Sequence, residues 1–170
     1  MTTIAADATP AGEVDRASSP DYAAAVYGSL LVTTLVVVQW RSDAVPELIG
    51  ISLVIGVASF WIAHAWSEIV AHRVHGRIDA RTAGAIALSE AMMLTSVVVP
   101  GLLLGLPRVF GVSIDLAIGA ALLASLVQLF LWGLAVGRAA HATLGLALVV
   151  AFVDLGLGIA VVALKVAVLH

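Results

Sequence analysis

The stretch from Tyr22 to Trp40, "YAAAVYGSLLVTTLVVVQW", contains no charged side chain. A bilayer has a hydrocarbon core ~30 Å thick, and an α-helix that rises ~1.5 Å per residue crosses it with about 20 apolar residues. The stretch therefore predicts a transmembrane helix. Of the 170 residues of the chain, 62% are hydrophobic and 11% are charged. Soluble domains carry about 25% charged residues, so the composition predicts an integral membrane protein.

Four further apolar blocks follow the first, and short loops join them. These blocks are too long and too uniformly apolar for the strands of a membrane barrel. The sequence therefore predicts an all-α, polytopic membrane protein with a bundle of five transmembrane helices over residues 22–170. The predicted helices cover Tyr22–Trp40, Leu48 to about Ala71, Ala83–Leu106, Leu116–Gly137 and Ala142 to about Leu169.

Prolines and the N-terminal segment add detail to this plan. Pro46 suits the first turn of the second helix, and Pro100–Gly101 predicts a kink in the third. Residues 1–21 lack a hydrophobic period and predict a disordered tail. They also lack the apolar core of a signal peptide, so the tail is expected to stay attached.

The basic residues indicate an orientation. One side of the predicted bundle carries Arg16, Arg73, Arg77, Arg81 and Arg138, and the other carries Arg41, Arg108 and Lys165. Loops with more Lys and Arg stay in the cytoplasm. The pattern therefore predicts a cytoplasmic N-terminal tail.

Several classes of function lose support. The chain has no cysteine, which excludes disulfides, thiol catalysis and thiolate metal sites. Its net charge of −3 argues against a nucleic-acid partner. It has no glycine-rich phosphate loop with lysine, no HExxH and no GxSxG, so we do not expect an enzyme.

Polar side chains lie within four of the predicted helices. At ~1.5 Å per residue, Glu90 is about 10 Å from the cytoplasmic boundary, Gln128 about 12 Å and Asp154 about 18 Å, while His64 is ~6 Å from it. An ionisable group that faces lipid costs at least ~2.5–3.5 kcal/mol, so these groups should face the bundle interior. The sequence predicts a cytoplasm-facing polar vestibule lined by His64, Glu68, Glu90 and Gln128, with Asp154 at its floor.

The segment "WIAHAWSEIVAHRVHGR", from Trp61 to Arg77, allows three interpretations. At 100° per residue, His64, Glu68, His72 and His75 share one helix face. In the first interpretation, His64, Glu68 and His72 bind a divalent metal together with Glu90. In the second, His64, Glu68 and Glu90 carry protons without a metal. In the structural interpretation, which we prefer, His64 ties two helices together through Glu90. The other residues of the segment then lie at the membrane interface. Trp61 and Trp66 form an aromatic belt there, and the solvent-exposed residues are His72, Arg73, His75 and Arg77.

Other polar and small residues have their own predicted roles. Asp154, within "VVAFVDLGLGIAVV", is costly to insert, so a functional role is expected. Gln128 is expected to join helices. The patterns "GLLLG" and "GLAVG" predict close helix contacts or a homo-oligomer face, through Gly101 and Gly105 or through Gly133 and Gly137.

Three stretches, "VYGSLLV", "FWIAHAWSEIVAHRV" and "LGLGIAVVALKVAVLH", resemble a group of small, uncharacterised integral membrane proteins of high-GC Gram-positive bacteria. The resemblance covers nearly all of the chain after the tail and implies a multi-pass protein of the bacterial plasma membrane. It implies no activity and no functional residue. The five spans also resemble the vacuolar iron transporter family, but the first helix lacks that family's acidic and Met residues, and the loop from His72 to Thr82 is too short for its metal-binding domain.

Together these features favour a small transporter or channel component that handles protons or cations through Asp154, Glu90, His64 and Glu68. The alternative is a membrane scaffold or accessory subunit whose polar residues only position helices. No cofactor is expected, although a divalent metal at His64, Glu68, Glu90 and His72 stays open.

Overall fold

The computed structural model describes residues 22–39, 46–140 and 143–168. Within these ranges the chain forms eight helices and no strand, which confirms the all-α prediction. The predicted tail, Trp40, and the predicted ends of the fifth helix at 142 and 169 lie outside the described residues. The helices are α1 (Tyr22–Gln39), α2 (Pro46–His75), α3 (Ala80–Ser89), α4 (Met92–Thr95), α5 (Val98–Leu104), α6 (Leu106–Phe110), α7 (Ile114–Ala139) and α8 (Leu144–Val168).

Four of the described helices, α1, α2, α7 and α8, are long and apolar enough to cross a membrane. The segments Ala80–Thr95 and Val98–Phe110 form a pair bent by 41°, and this pair makes a fifth crossing if it counts as one broken span. The predicted five-helix bundle agrees with this arrangement. Helix α2 begins at Pro46, where proline was expected to open it, and continues to His75, four residues beyond the predicted end at Ala71.

The third predicted helix is wrong as a single element. In place of one helix over Ala83–Leu106, the chain forms α3 to α6, and the bend lies between Thr95 and Val98 rather than at Pro100–Gly101. The backbone N–H groups between Ala91 and Val97, those of Met92 and Thr95 excepted, donate to carbonyls three residues earlier, as the 3.1 Å bond from the Met93 N–H to the Glu90 carbonyl oxygen shows. Such i→i−3 bonds belong to 3₁₀ turns, which interrupt an α-helix.

Side chains explain where this interruption falls. The hydroxyls of Ser89, Thr95 and Ser96 each donate to a carbonyl three residues earlier, at 2.6–2.8 Å. Such bonding to the helix's own carbonyls bends helices. Pro100 has no N–H to offer the Ser96 carbonyl, and its ring would clash with that carbonyl in a regular helix. The bend therefore occurs one turn before the proline.

Helix α1 lies at the centre of the bundle and packs against α2, α4, α7 and α8. Its contact with α7 is partly polar, because Thr33 Oγ1 lies 3.1 Å from Ser125 Oγ and both side chains are buried. Its contact with α4 is close at Gly28, where an added Cβ would stand 2.7 Å from the Met93 carbonyl oxygen. Gly28 thus lets α4 approach α1 closely, and Thr33 meets Ser125 of α7.

Small residues also join α7 to α8. A Cβ on Gly137 would fall 2.5 Å from Ala147 Cα, and a Cβ on Gly133 would fall 2.8 Å from Ala151 Cα. Gly133 and Gly137 are buried in this contact within the chain. Of the two predicted uses of "GLAVG", close helix packing is confirmed. Helix α8 covers both glycines in this contact, and the homo-oligomer face stays a prediction.

Candidate functional site

A histidine and a glutamate meet between α2 and the end of α3. His64 Nε2 lies 3.3 Å from Glu90 Oε2, which confirms the predicted approach of these two side chains. The Glu90 side chain is 7% exposed, whereas the His64 side chain is 41% exposed. The carboxyl group is therefore enclosed, and the imidazole connects it to the surroundings of the bundle.

Local structure places both partners. Glu90 is the C-cap residue of α3, at the first interruption of the bent segment. The Trp61 indole Nε1–H donates to the Ala87 carbonyl oxygen at 3.0 Å, and this bond joins α2 to α3 next to the pair. Trp61 is half-buried and packs against the core. Its indole N–H is therefore used inside the protein, and the aromatic belt of Trp61 and Trp66 stays a prediction.

Tyr27 completes this cluster, although no sequence motif predicted a role for it. Its ring stacks on the His64 imidazole, with 5.8 Å between centroids and 28° between planes. The close packing of Gly28 against Met93 and Ser96 brings this part of α1 to the bent segment. The sequence feature that could have predicted this contact is the Tyr–Gly pair of "VYGS". Its glycine lets a second helix pack closely beside the tyrosine.

The outer part of the motif is separate from the pair. Glu68 and His72 interact with each other on the last turns of α2, with His72 Nδ1 4.0 Å from Glu68 Oε2 and 2.9 Å from the Glu68 carbonyl oxygen. The Arg73 guanidinium lies 5.8 Å from the centre of the exposed Trp66 ring. These contacts agree with the predicted wet margin, while the side chain of His75 lies outside the described part of the structure.

The predicted metal ligands are not brought together. His64 pairs with Glu90, and Glu68 pairs with His72, so the four side chains form two pairs and not one set. Within residues 22–39, 46–140 and 143–168, no three His, Asp or Glu side chains are close enough to share an ion. The metal interpretation of the motif is wrong for the residues described.

Gln128 joins two helices, as predicted. Its Nε2 donates to the Thr95 carbonyl oxygen at 3.3 Å. Thr95 is the last residue of α4, at the bend, where a regular helix would have supplied a backbone donor. The amide of Gln128 therefore replaces part of the interrupted backbone bonding. Its second polar atom, Oε1, is buried without a hydrogen-bond partner.

Asp154 lies in a different part of the bundle, between α8, α7 and α1. An added Cβ on Gly133 would stand 2.5 Å from Asp154 Oδ2, so the carboxyl group rests on the α7 backbone. The same carboxyl group lines a cavity of about 450 Å³ together with Tyr22, Tyr27 and Leu30 of α1. Asp154 thus shares a cavity with Tyr27, which in turn touches His64.

The predicted single vestibule needs correction. The structure divides its residues among separate places because each polar group finds its own partner on a neighbouring helix. The His64–Glu90 pair and the Asp154 cavity remain connected, because Tyr27 stacks on His64 and also lines that cavity. The separate parts are the Glu68–His72 pair and the Gln128–Thr95 bond.

Comparison with protein-family models, curated proteins and solved structures found no match to this chain. The function is therefore inferred from the geometry of the bundle. The resemblance to small bacterial membrane proteins stays a prediction.

Proposed function

We propose that this protein is a multi-pass protein of a bacterial plasma membrane that moves protons, as a small transporter or a channel component. The single observation that carries the proposal is the 3.3 Å contact between a half-exposed imidazole and an enclosed carboxyl group, His64 and Glu90. The broader setting is an integral membrane protein, since the long helices are apolar enough to cross a bilayer.

The chemistry of the pair suits a proton. Imidazole accepts a proton on one ring nitrogen and releases one from the other, and it does so in the physiological pH range. The His64 side chain is 41% exposed at the surface of the bundle, and Glu90 lies at its Nε2. Ionisable residues within membrane-spanning segments are costly and mark proton or ion pathways. Glu90 therefore accepts protons that enter through His64.

The same geometry favours a proton over a coordinated divalent cation. Structural zinc takes about four ligands, and calcium takes about six to eight. The pair offers an imidazole and one carboxyl group, and the third neighbour is the ring of Tyr27, which stacks on the imidazole face. A proton needs only the two atoms that already face each other.

Asp154 gives the pathway a second acidic group. It lines the cavity that also contains Tyr27, so a proton that leaves the His64 side of Tyr27 reaches a space with another carboxyl group. Tyr27 is the side chain common to both acids.

The proposal is tested by proton flux into vesicles that contain the purified protein. A pH-sensitive dye trapped inside reports acidification under an imposed membrane potential. We expect flux with the unaltered protein and a loss to the level of protein-free vesicles with Glu90→Gln and with Asp154→Asn. Asp115→Asn is the matched control, because Asp115 is exposed in the first turn of α7, and it should retain full flux.

Two outcomes would contradict the proposal. One is no flux above protein-free vesicles for the unaltered, folded protein. The other is equal flux in Glu90→Gln and in the unaltered protein. Far-ultraviolet circular dichroism and the elution volume of each variant separate a lost pathway from a lost fold.

A second candidate function is a membrane scaffold or accessory subunit. It is favoured by two polar side chains within the spans that bond to the backbone of another helix. Trp61 bonds to Ala87, and Gln128 bonds to Thr95. Under this function the variants of Glu90 and Asp154 change thermal stability, and no member of the series moves protons.

A further inference from the structure

An open apolar groove runs between the first half of α2 and the α5–α6 segment. Its volume is about 730 Å³, within the ~300–1,000 Å³ range of small-molecule sites. The aliphatic side chains along it are exposed, and Ile55 and Leu102 keep 60% and 70% of their surface. The walls include Ile51, Val54 and Ile55 of α2 and Val98, Leu102 and Val109 of the bent segment.

Glycines keep this groove open. A Cβ added to Gly50 or Gly101, one on each wall, would have no neighbouring atom within 4 Å. Gly133 and Gly137 differ, because α8 fills the space in front of them. The glycines of the groove therefore leave open space at the surface and do not bring two helices of this chain together.

A cationic side chain, that of Arg108, lies at one end of the groove. Arg108 is the one charged residue among the described residues that line it, and it lies in the last turn of α6, at the end of the bent segment. A guanidinium carries five N–H donors, so it can keep a contact within the protein and still donate to an anion. Its planar fork matches the oxygens of a phosphate group.

We infer that this groove binds an anionic phospholipid, with one acyl chain between α2 and α5–α6 and the headgroup phosphate on Arg108. Both walls belong to segments that are apolar enough to lie in a membrane, so lipid molecules surround the groove. An empty groove would forfeit the dispersion contacts of its aliphatic walls. One cationic side chain at the end of an aliphatic groove matches the charge pattern of an anionic lipid. The inference does not depend on proton movement.

A second copy of the chain fits this groove less well. A twofold dimer uses the same surface on both subunits, so it would bring two copies of Arg108 into one apolar interface. Two guanidinium groups removed from water without an anion are unfavourable. The lipid supplies the phosphate that a second copy lacks.

Native mass spectrometry of the detergent-purified protein tests the inference, with phosphatidylglycerol or phosphatidylcholine added at equal concentration. We expect the unaltered protein to retain one phosphatidylglycerol molecule in preference to phosphatidylcholine. Gly101→Leu and Gly50→Leu, which fill the groove from opposite walls, should each lose it. Arg108→Gln should reduce the preference for phosphatidylglycerol about fivefold, the effect of one basic side chain near an anionic membrane surface.

Gly119→Leu is the matched control, because Gly119 of α7 also has open space at its Cβ position and does not line the groove. It should retain the lipid. Lipid retention in both groove-filling variants, or equal loss in Gly119→Leu, would overturn the inference. So would a groove-filling variant that changes the subunit number and keeps its lipid, since the groove would then be a contact between copies.

Discussion

Gly133 of α7 lies so close to Asp154 of α8 that a Cβ built on the glycine would stand 2.5 Å from Asp154 Oδ2. The same Cβ would stand 2.8 Å from Ala151 Cα, one turn earlier on α8. Gly137 continues this contact one turn along α7, where its Cβ would fall 2.5 Å from Ala147 Cα. The two glycines therefore set the distance between the last two helices and the position of the intramembrane acid.

Gly133→Ala is expected to destabilise the protein by about 1–3 kcal/mol, the usual cost of an extra methyl group in a packed interior. The methyl group would meet backbone at Ala151, which cannot rotate away as the end of a side chain can. Thermal unfolding in detergent measures the effect. Gly119→Ala adds the same methyl group where nothing lies within 4 Å, and it should be neutral or slightly stabilising. Equal stability of the two variants would show that α7 and α8 are not in close contact at Gly133.

The hydroxyl pair between α1 and α7 is expected to contribute a small coupling energy. The Thr33 hydroxyl donates its one proton either to Ser125 Oγ, at 3.1 Å, or to the Ser29 carbonyl oxygen, whereas the Ser125 hydroxyl donates to the Leu122 carbonyl oxygen. A double-mutant cycle with Thr33→Val and Ser125→Ala should give about 0.6 kcal/mol, the average for interhelical hydrogen bonds in a membrane protein. Strictly additive effects in equilibrium unfolding would contradict the contact.

Trp61→Phe should cost about 1 kcal/mol of unfolding free energy, because the Ala87 carbonyl oxygen loses its indole donor while most of the apolar packing remains. Trp66→Phe is the matched control. Trp66 is 58% exposed, and a change at such a position is usually within about 0.5 kcal/mol. Equal losses in both variants would mean that the Trp61 hydrogen bond does not stabilise the α2–α3 contact.

The first turn of α3 is expected to weaken in acid. Asp79 is the N-cap residue, and its Oδ1 accepts the Thr82 N–H at 2.9 Å. Hydrogen bonds from the Thr82 hydroxyl and from the Thr82 N–H hold the pKa of Asp79 below its ordinary value of 3.8. Because the folded pKa is lowered, the stabilisation is complete above the ordinary value and is lost as the pH falls through the folded one.

Hydrogen exchange at a series of pH values tests this cap. The amides at the start of α3 should lose protection below pH 3.8, relative to α7, after correction for the intrinsic exchange rate. Asp79→Asn keeps a good N-cap and removes the titrating group, so its protection should not change over the same range. A loss of protection at low pH in Asp79→Asn as large as in the unaltered protein would contradict the assignment.

The bent segment is expected to cross the membrane once. Because the chain has no cysteine, a single introduced thiol reports one position without background. Arg77→Cys, before α3, and Ser113→Cys, after α6, should react with an impermeant maleimide from opposite sides of sealed vesicles. Labelling of both from one side would show a re-entrant segment and four crossings.

The membrane class and the positions of α1, α2, α7 and α8 followed from the sequence, because an uninterrupted apolar length is a local property. The approach of His64 to Glu90 was also predictable. The two residues lie on consecutive predicted helices joined by a short loop, and the rise per residue puts them near the same boundary. The bend was predicted in the correct block but one turn late, since Pro100 acts on the carbonyl of Ser96.

Only the tertiary structure decided which helices are neighbours and how each is rotated. Tyr27 meets His64 because Gly28 brings α1 against the bent segment, and this contact joins residues far apart in the chain. Asp154 faces α7 and the Tyr27 cavity because Gly133 leaves room for its carboxyl group. By itself the sequence determined that polar side chains lie within the long apolar helices. Their partners depend on close packing between helices, which no local pattern contains.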